Sequence, residues 1–162
     1  MSSADDDDRF LELAIEQARI GRREGGVPIG AVLVADGEVL GAGRNRRVQR
    51  GSAILHGETD ALESAGRLPA EVYRRSTMYT TLSPCYLCSG GILLFGIPRV
   101  VIGEHETFLG AEDLLREHGV EVVVRRSQEC IDLMRAFIEE QPHVWDEDIG
   151  EPHLGALDER EH

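Results

Sequence analysis

Residues 77–102 read TMYTTLSPCYLCSGGILLFGIPRVVI, and their pattern changes twice. Thr77 to Leu82 is rich in β-branched and aromatic residues, which fit a strand. Ser83 is an N-cap residue type and Pro84 suits a first helical position, so a helix is expected from there to about Phe95. Gly96 and Pro98 close it, and Arg99 to Ile102 is a second short apolar run of the kind buried in a parallel sheet.

The same alternation extends in both directions. Upstream, Phe10, Leu11, Ala14, Ile15 and Ala18 form the stripe of an amphipathic helix that stops near Gly21. Ile29 to Val34 and Val39 to Gly43 are apolar runs joined through Ala35-Asp36-Gly37-Glu38, a strong hairpin signal. Asn45 to Ser52 is polar and basic and reads as a loop. A short helix with Ala61, Leu62 and Ala65 follows, ended by Gly66 and Pro69, and His56 sits at its start. Downstream come a helix-like Glu112 to His118, a strand at Val120 to Val124, and a long helix marked by Ile131, Met134, Phe137 and Ile138 that stops before Pro142. Strands alternating with helices predict an α/β fold, a three-layer α/β/α sandwich around a mixed five-stranded sheet. One domain is expected over 1–162, with its core at about 9–151 and acidic tails at 1–8 and 152–162.

Composition narrows the function. The 162 residues carry 30 acidic and 17 basic side chains, a net charge of −13, and every basic residue is arginine. The absence of lysine removes lysine-based covalent chemistry. The acidity disfavours a phosphate backbone as partner, since that affinity comes from Lys and Arg neutralising phosphates. A small uncharged or cationic substrate fits better, although Arg44, Arg46, Arg47 and Arg50 form a local basic cluster. No apolar run is long enough for a membrane span, and the N-terminus lacks the pattern of a secretory signal. A cytoplasmic protein is expected. Three cysteines, an odd number, argue against a disulfide framework and for metal binding or buried thiols.

Cys85 and Cys88 lie three apart at a helix start, so both sulfurs share one face near the positive end of the helix dipole, which favours thiolates. Alone, Cys-x-x-Cys fits a redox pair or half of a structural zinc site equally well. Combined with His56-Gly57-Glu58 upstream, it matches the His-x-Glu and Pro-Cys-x-x-Cys signature of zinc deaminases, in which the glutamate is not a ligand. His56, Cys85 and Cys88 are the expected ligands of one Zn2+ ion, with a fourth position open to water. Glu58 is the expected general acid/base. Cys130, on the apolar stripe of the last long helix, reads as a core thiol.

The chain resembles the cytidine and deoxycytidylate deaminase superfamily, and within it the fungal-type cytosine deaminases. The resemblance runs from about Phe10 to Glu151. It rests on GGVPIG at 25–30, Asn45 after a glycine-rich strand end, GSAILHGE at 51–58, LESAGRL at 62–68, YTTLSPC at 79–85, GIPR at 96–99 and WDEDIGE at 145–151. It implies hydrolytic deamination of free cytosine, with Asn45, Gly57 and Asp148 binding the pyrimidine rim and Phe108 and Trp145 walling its faces. It also implies a homodimer. Another free base or nucleoside (guanine, isocytosine or cytidine) is the alternative substrate, and a structural zinc or nucleic-acid-binding module is the alternative class. Asp60 departs from the pattern, standing where the fungal type carries a small polar residue.

Overall fold

The structure, a computed structural model, describes residues 3–152. Helix α1 (Ala4–Arg23) precedes a hairpin of β1 (Gly30–Ala35) and β2 (Glu38–Arg44). A single turn α2 (Arg47–Arg50), helix α3 (Gly57–Ala65) and a second single turn α4 (Ala70–Tyr73) lead to β3 (Ser76–Leu82). Then α5 (Tyr86–Phe95), β4 (Arg99–Glu104), α6 (Glu112–Glu117) and β5 (Glu121–Val124) alternate. Helices α7 (Gln128–Glu140) and α8 (Pro142–Asp148) end the described chain.

The sheet order is β2-β1-β3-β4-β5. β1 is antiparallel to both β2 and β3, whereas β3, β4 and β5 are parallel, so the sheet is mixed as expected. Asp36 and Gly37 close the hairpin with φ of 53° and 75°, the left-handed pair of a type I′ turn, whose twist matches that of the strands.

Side chains alternate across the sheet with the strand period of two. Ala31, Leu33, Met78, Val100 and Ile102 face one way and meet Ala61, Ile92 and Leu115 of α3, α5 and α6. Val32, Val34, Tyr79 and Val101 face the other and meet Phe10, Leu11, Ala14 and Ile15 of α1, with Cys130 of α7. Each fully buried aliphatic side chain contributes about 2 kcal/mol. A third cluster of Val27, Ile29, Leu82, Met134, Phe137 and Trp145 caps the sheet end where β3 stops.

Two expectations need correction, and one helix is added. Residues 1–8 are not simply an acidic tail. Ser3 caps α1 in a reciprocal capping box with Asp6, and buried Asp7 accepts from Tyr79 Oη at 2.9 Å and from Arg99 Nη2 at 2.7 Å. Ser83 does not cap α5; Cys85 takes the N-cap position, and Ser83 Oγ donates instead to Glu112 at 2.7 Å. The chain beyond Pro142 is helical, with the proline at the start of α8, where its missing N–H costs nothing. Of the expected tail at 152–162, residues 153–162 lie outside the described residues. Among the described residues no helix is long and apolar enough to cross a membrane.

Candidate metal centre and active site

Helices α3 and α5 both begin at the end of the sheet where β3 stops. His56 is the N-cap of α3, in extended backbone at φ −72° and ψ 170°, and Glu58 is its second residue. Ideal helical geometry sets residues two apart on nearly opposite faces. Because His56 precedes the helix, that geometry does not apply, and both side chains reach one site. Between them, Gly57 lies against the β1 entrance: a Cβ there meets the Gly30 carbonyl carbon and Ile29 Cγ2 at 3.3 Å. Cys85 is likewise the N-cap of α5, and Cys88 is its third residue.

The three expected ligands converge. His56 Nδ1 lies 3.3 Å from Cys85 Sγ and 3.6 Å from Cys88 Sγ, and all three donor atoms fall within 4.8 Å of one another. A tetrahedral zinc with bonds of about 2.3 Å to sulfur and 2.0 Å to nitrogen spaces those donors about 3.5 Å apart. The residues present therefore fit zinc in both donor chemistry and spacing. Among the described residues no other group of His, Cys, Asp and Glu meets the same distance criterion. Three protein donors rather than four is the pattern of a catalytic site.

The surroundings shift His56, Glu58, Cys85 and Cys88. Burial works against a charged His56 ring, but the hydrogen bond with Cys85 and the carboxylates of Glu58 and Asp148 raise its pKa to about 9. The hydrogen bond from Cys88, outweighing burial and aided by His56, lowers Cys85 to about 4. Cys88, which donates that bond and is buried beside Glu58, is raised well above the thiol range. Burial raises Glu58, opposed by the charge of His56 and by hydrogen bonds from Cys88 and Thr80. Metal binding displaces the protons that His56 and the two thiols carry at the donor atoms.

The expected substrate contacts line the same end of the sheet. Asn45, fully buried just after β2, donates from Nδ2 to both oxygens of Asp148, at 3.2 and 3.1 Å. Asp148 Oδ2 lies 3.9 Å from His56 Nε2. Trp145 of α8 meets Phe108 edge to face, with ring centroids 5.9 Å apart. These two rings, with Ile29, Leu82, Asp148 and Ile149, enclose a space of only about 20 Å³ beside His56, Glu58 and Cys85. An outer hollow of about 390 Å³ continues past Phe108, Asp148 and Ile149 towards Tyr86, Leu87 and Glu151. A larger hollow of about 610 Å³ opens at the opposite end of the sheet, between Asp36, Arg75 and Arg99, far from these donors.

The family model for the cytidine and deoxycytidylate deaminase zinc-binding region matches residues 4–104. The chain belongs to that family. Over 147 residues this deaminase is 57% identical to a cytosine deaminase of Candida albicans, covering 90% of the chain and 98% of the relative. It is 33% identical over 144 residues to a tRNA-specific adenosine deaminase of Bacillus subtilis, covering 83% and 89% respectively. Its fold is similar to a solved tRNA:A34 deaminase with a TM-score of 0.68 and 28% identity, over 78% of this chain and 99% of the other.

Two residues of the deaminase site were given no role there by the sequence. Thr80 Oγ1, buried on β3, lies 2.5 Å from Glu58 Oε1, yet threonine in a strand is unremarkable by propensity. Arg47 donates from Nη1 to Asp148 at 3.1 Å and from Nη2 to Glu147 at 2.7 Å. The arginine-rich stretch at 44–50 was legible as a cluster, whereas its acidic partners, 100 positions later, were not. Cys130 lies in the core as expected, where burial pushes its thiol up to about 11.

Proposed function

We infer that this deaminase hydrolyses free cytosine to uracil and ammonia. The observation that carries the reading is the triangle of His56 Nδ1, Cys85 Sγ and Cys88 Sγ with buried Glu58 beside it, under two aromatic rings and a polar Asn45–Asp148 rim. The extended similarity to the Candida albicans cytosine deaminase supports the choice of base. The substrate is a small molecule.

His56, Cys85 and Cys88 would hold the zinc ion, which would supply the Lewis acidity that makes water nucleophilic near neutral pH. Glu58, a carboxylate outside the ligand set, takes a proton from the attacking water as its oxygen bonds to C4 of the base. It returns that proton to ring N3, and a second proton passes by the same carboxylate to the exocyclic amine. The C4–N bond then breaks, ammonia leaves with the bonding pair, and the C4 oxygen becomes the carbonyl of uracil. Asp148 accepts from the exocyclic amine, and Asn45 and the Gly57 N–H, which a first helical turn leaves without an intrahelical partner, hold the rest of the rim. Phe108 and Trp145 pack against the ring.

The reading includes a homodimer. Tyr86 and Leu94 are 78% and 77% exposed, and with Ile54 and Leu87 they line an apolar hollow of about 830 Å³ on the outer face of α3 and α5. A reducing, cytoplasmic setting suits three free thiols.

Ammonia release across cytosine, cytidine, guanine and isocytosine tests the reading. Cytosine is expected to be the preferred substrate, and Glu58→Ala to lower turnover about 10³-fold with zinc still near one per chain. An active Glu58→Ala variant overturns the mechanism, and release only from another base overturns the substrate.

A further inference from the structure

We propose that Asp60 and Arg46 form a positioning pair that fixes Asn45 relative to the metal-bearing helix, and so sets affinity for the base. The proposal rests on the reading of Asn45 as a substrate contact.

Asp60 is a carboxylate 1% exposed, buried in the first turn of α3. Both of its oxygens are used, and both go to the residues flanking Asn45. Oδ1 accepts from Arg46 Nη2 at 2.5 Å, and Oδ2 accepts from Arg46 Nε at 3.1 Å and from the backbone N–H of Arg44 at 3.0 Å. A planar guanidinium held at two nitrogens fixes direction as well as distance. Asn45 itself donates its backbone N–H to Ile29 at 2.9 Å, and the Arg46 N–H goes to Leu55 at 2.9 Å. The three-residue segment is therefore tied down at every position, and the Asn45 amide, whose Oδ1 accepts from the Arg47 N–H at 3.1 Å, turns its Nδ2 towards Asp148.

On its other side Asp60 belongs to the ligand helix. Its N–H bonds the His56 carbonyl at 2.9 Å, and Glu58 lies two residues earlier. One carboxylate thus couples the ligand turn to the rim of the base site. The two elements also touch directly: a Cβ on Gly43 of β2 meets the Asp60 backbone carbon at 2.5 Å and the Ala61 nitrogen at 2.2 Å.

The test combines kinetics, zinc content and an NMR readout of Asn45. In Asp60→Asn, which keeps the size and an acceptor for Arg44, and in Arg46→Met, KM for cytosine is expected to rise about tenfold. Turnover stays within twofold and zinc near one per chain, the pattern of lost uniform binding. The double variant Asp60→Ser/Arg46→Met removes the unpaired buried charge, so its Tm recovers while KM stays high. The side-chain amide resonances of Asn45, assigned through Asn45→Asp, are expected to shift and broaden in each variant without substrate. Unchanged resonances and unchanged KM overturn the proposal while leaving the cytosine reading intact, as does a KM that recovers together with Tm. If wild-type protein releases no ammonia from cytosine, the substrate reading fails, and the Asn45 resonances still decide whether the pair positions that amide.

Discussion

Glu58 has to take a proton near neutral pH, and its surroundings pull in both directions. Burial raises its pKa, while the Thr80 hydroxyl, bonded to Oε1, favours the charged form. Thr80→Val keeps the shape and removes that bond, so Glu58 loses its proton at higher pH. The expected result is an acidic limb of the kcat/KM profile displaced to higher pH, with zinc content unchanged. At this scale the ligands were legible because His-x-Glu and Cys-x-x-Cys each state their spacing within four residues. Thr80 was not legible, since its role depends on strand β3 passing under α3, a contact between positions 22 apart.

Among the elements, α1 shows how a charge run misleads. Asp5 to Asp8 looks like a solvated stretch, and Asp7 is buried only because Tyr79 and Arg99, 72 and 92 positions away, wait for it. Burial alone pushes the Asp7 carboxyl up, but the hydrogen bonds from Arg99 and Tyr79 and the Arg99 charge bring it below its usual value. A depressed folded pKa means the stabilisation is present above the unfolded value of about 4 and is lost as pH falls through the lower folded value. Asp7→Asn is expected to cost about 3 kcal/mol at pH 7, a fall of about 5–10 °C in Tm by calorimetry. The variant's Tm is expected to fall less steeply than wild type below pH 4. Helix α8 was missed for a related reason. Pro142 ends α7 by one rule and starts α8 by another, and only the Arg47 clamp on Glu147 and Asp148, with Trp145 packed beneath, selects the second.

For the whole molecule the layers and the mixed five-stranded sheet followed from alternating patterns, since the strands are short and apolar and each parallel crossover contains a helix. The position of β1 between β2 and β3 did not, because nothing local tells a hairpin which of its strands the next one will join. Acidity acts at this scale as well. With a net charge of −13 on 162 residues, an apolar patch is the surface on which two copies meet with least repulsion. If the proposed homodimer forms on that patch, Leu94→Glu, at an exposed position, is expected to shift the sedimentation mass from dimer to monomer while the far-UV spectrum is retained. An unchanged dimer mass removes this face as the interface.

The donor triangle has a consequence for the protein's durability. Stripped of metal by a chelator, it leaves Cys85 as a thiolate at neutral pH within reach of a second sulfur, while Cys130 stays protonated in the core. With peroxide added, the Cys85 thiolate is expected to attack it first, releasing hydroxide and leaving a sulfenic acid that the Cys88 thiol converts, with loss of water, to a disulfide unable to bind metal. Loading zinc before exposure to peroxide is therefore expected to keep both thiols countable by a thiol reagent after the metal is removed.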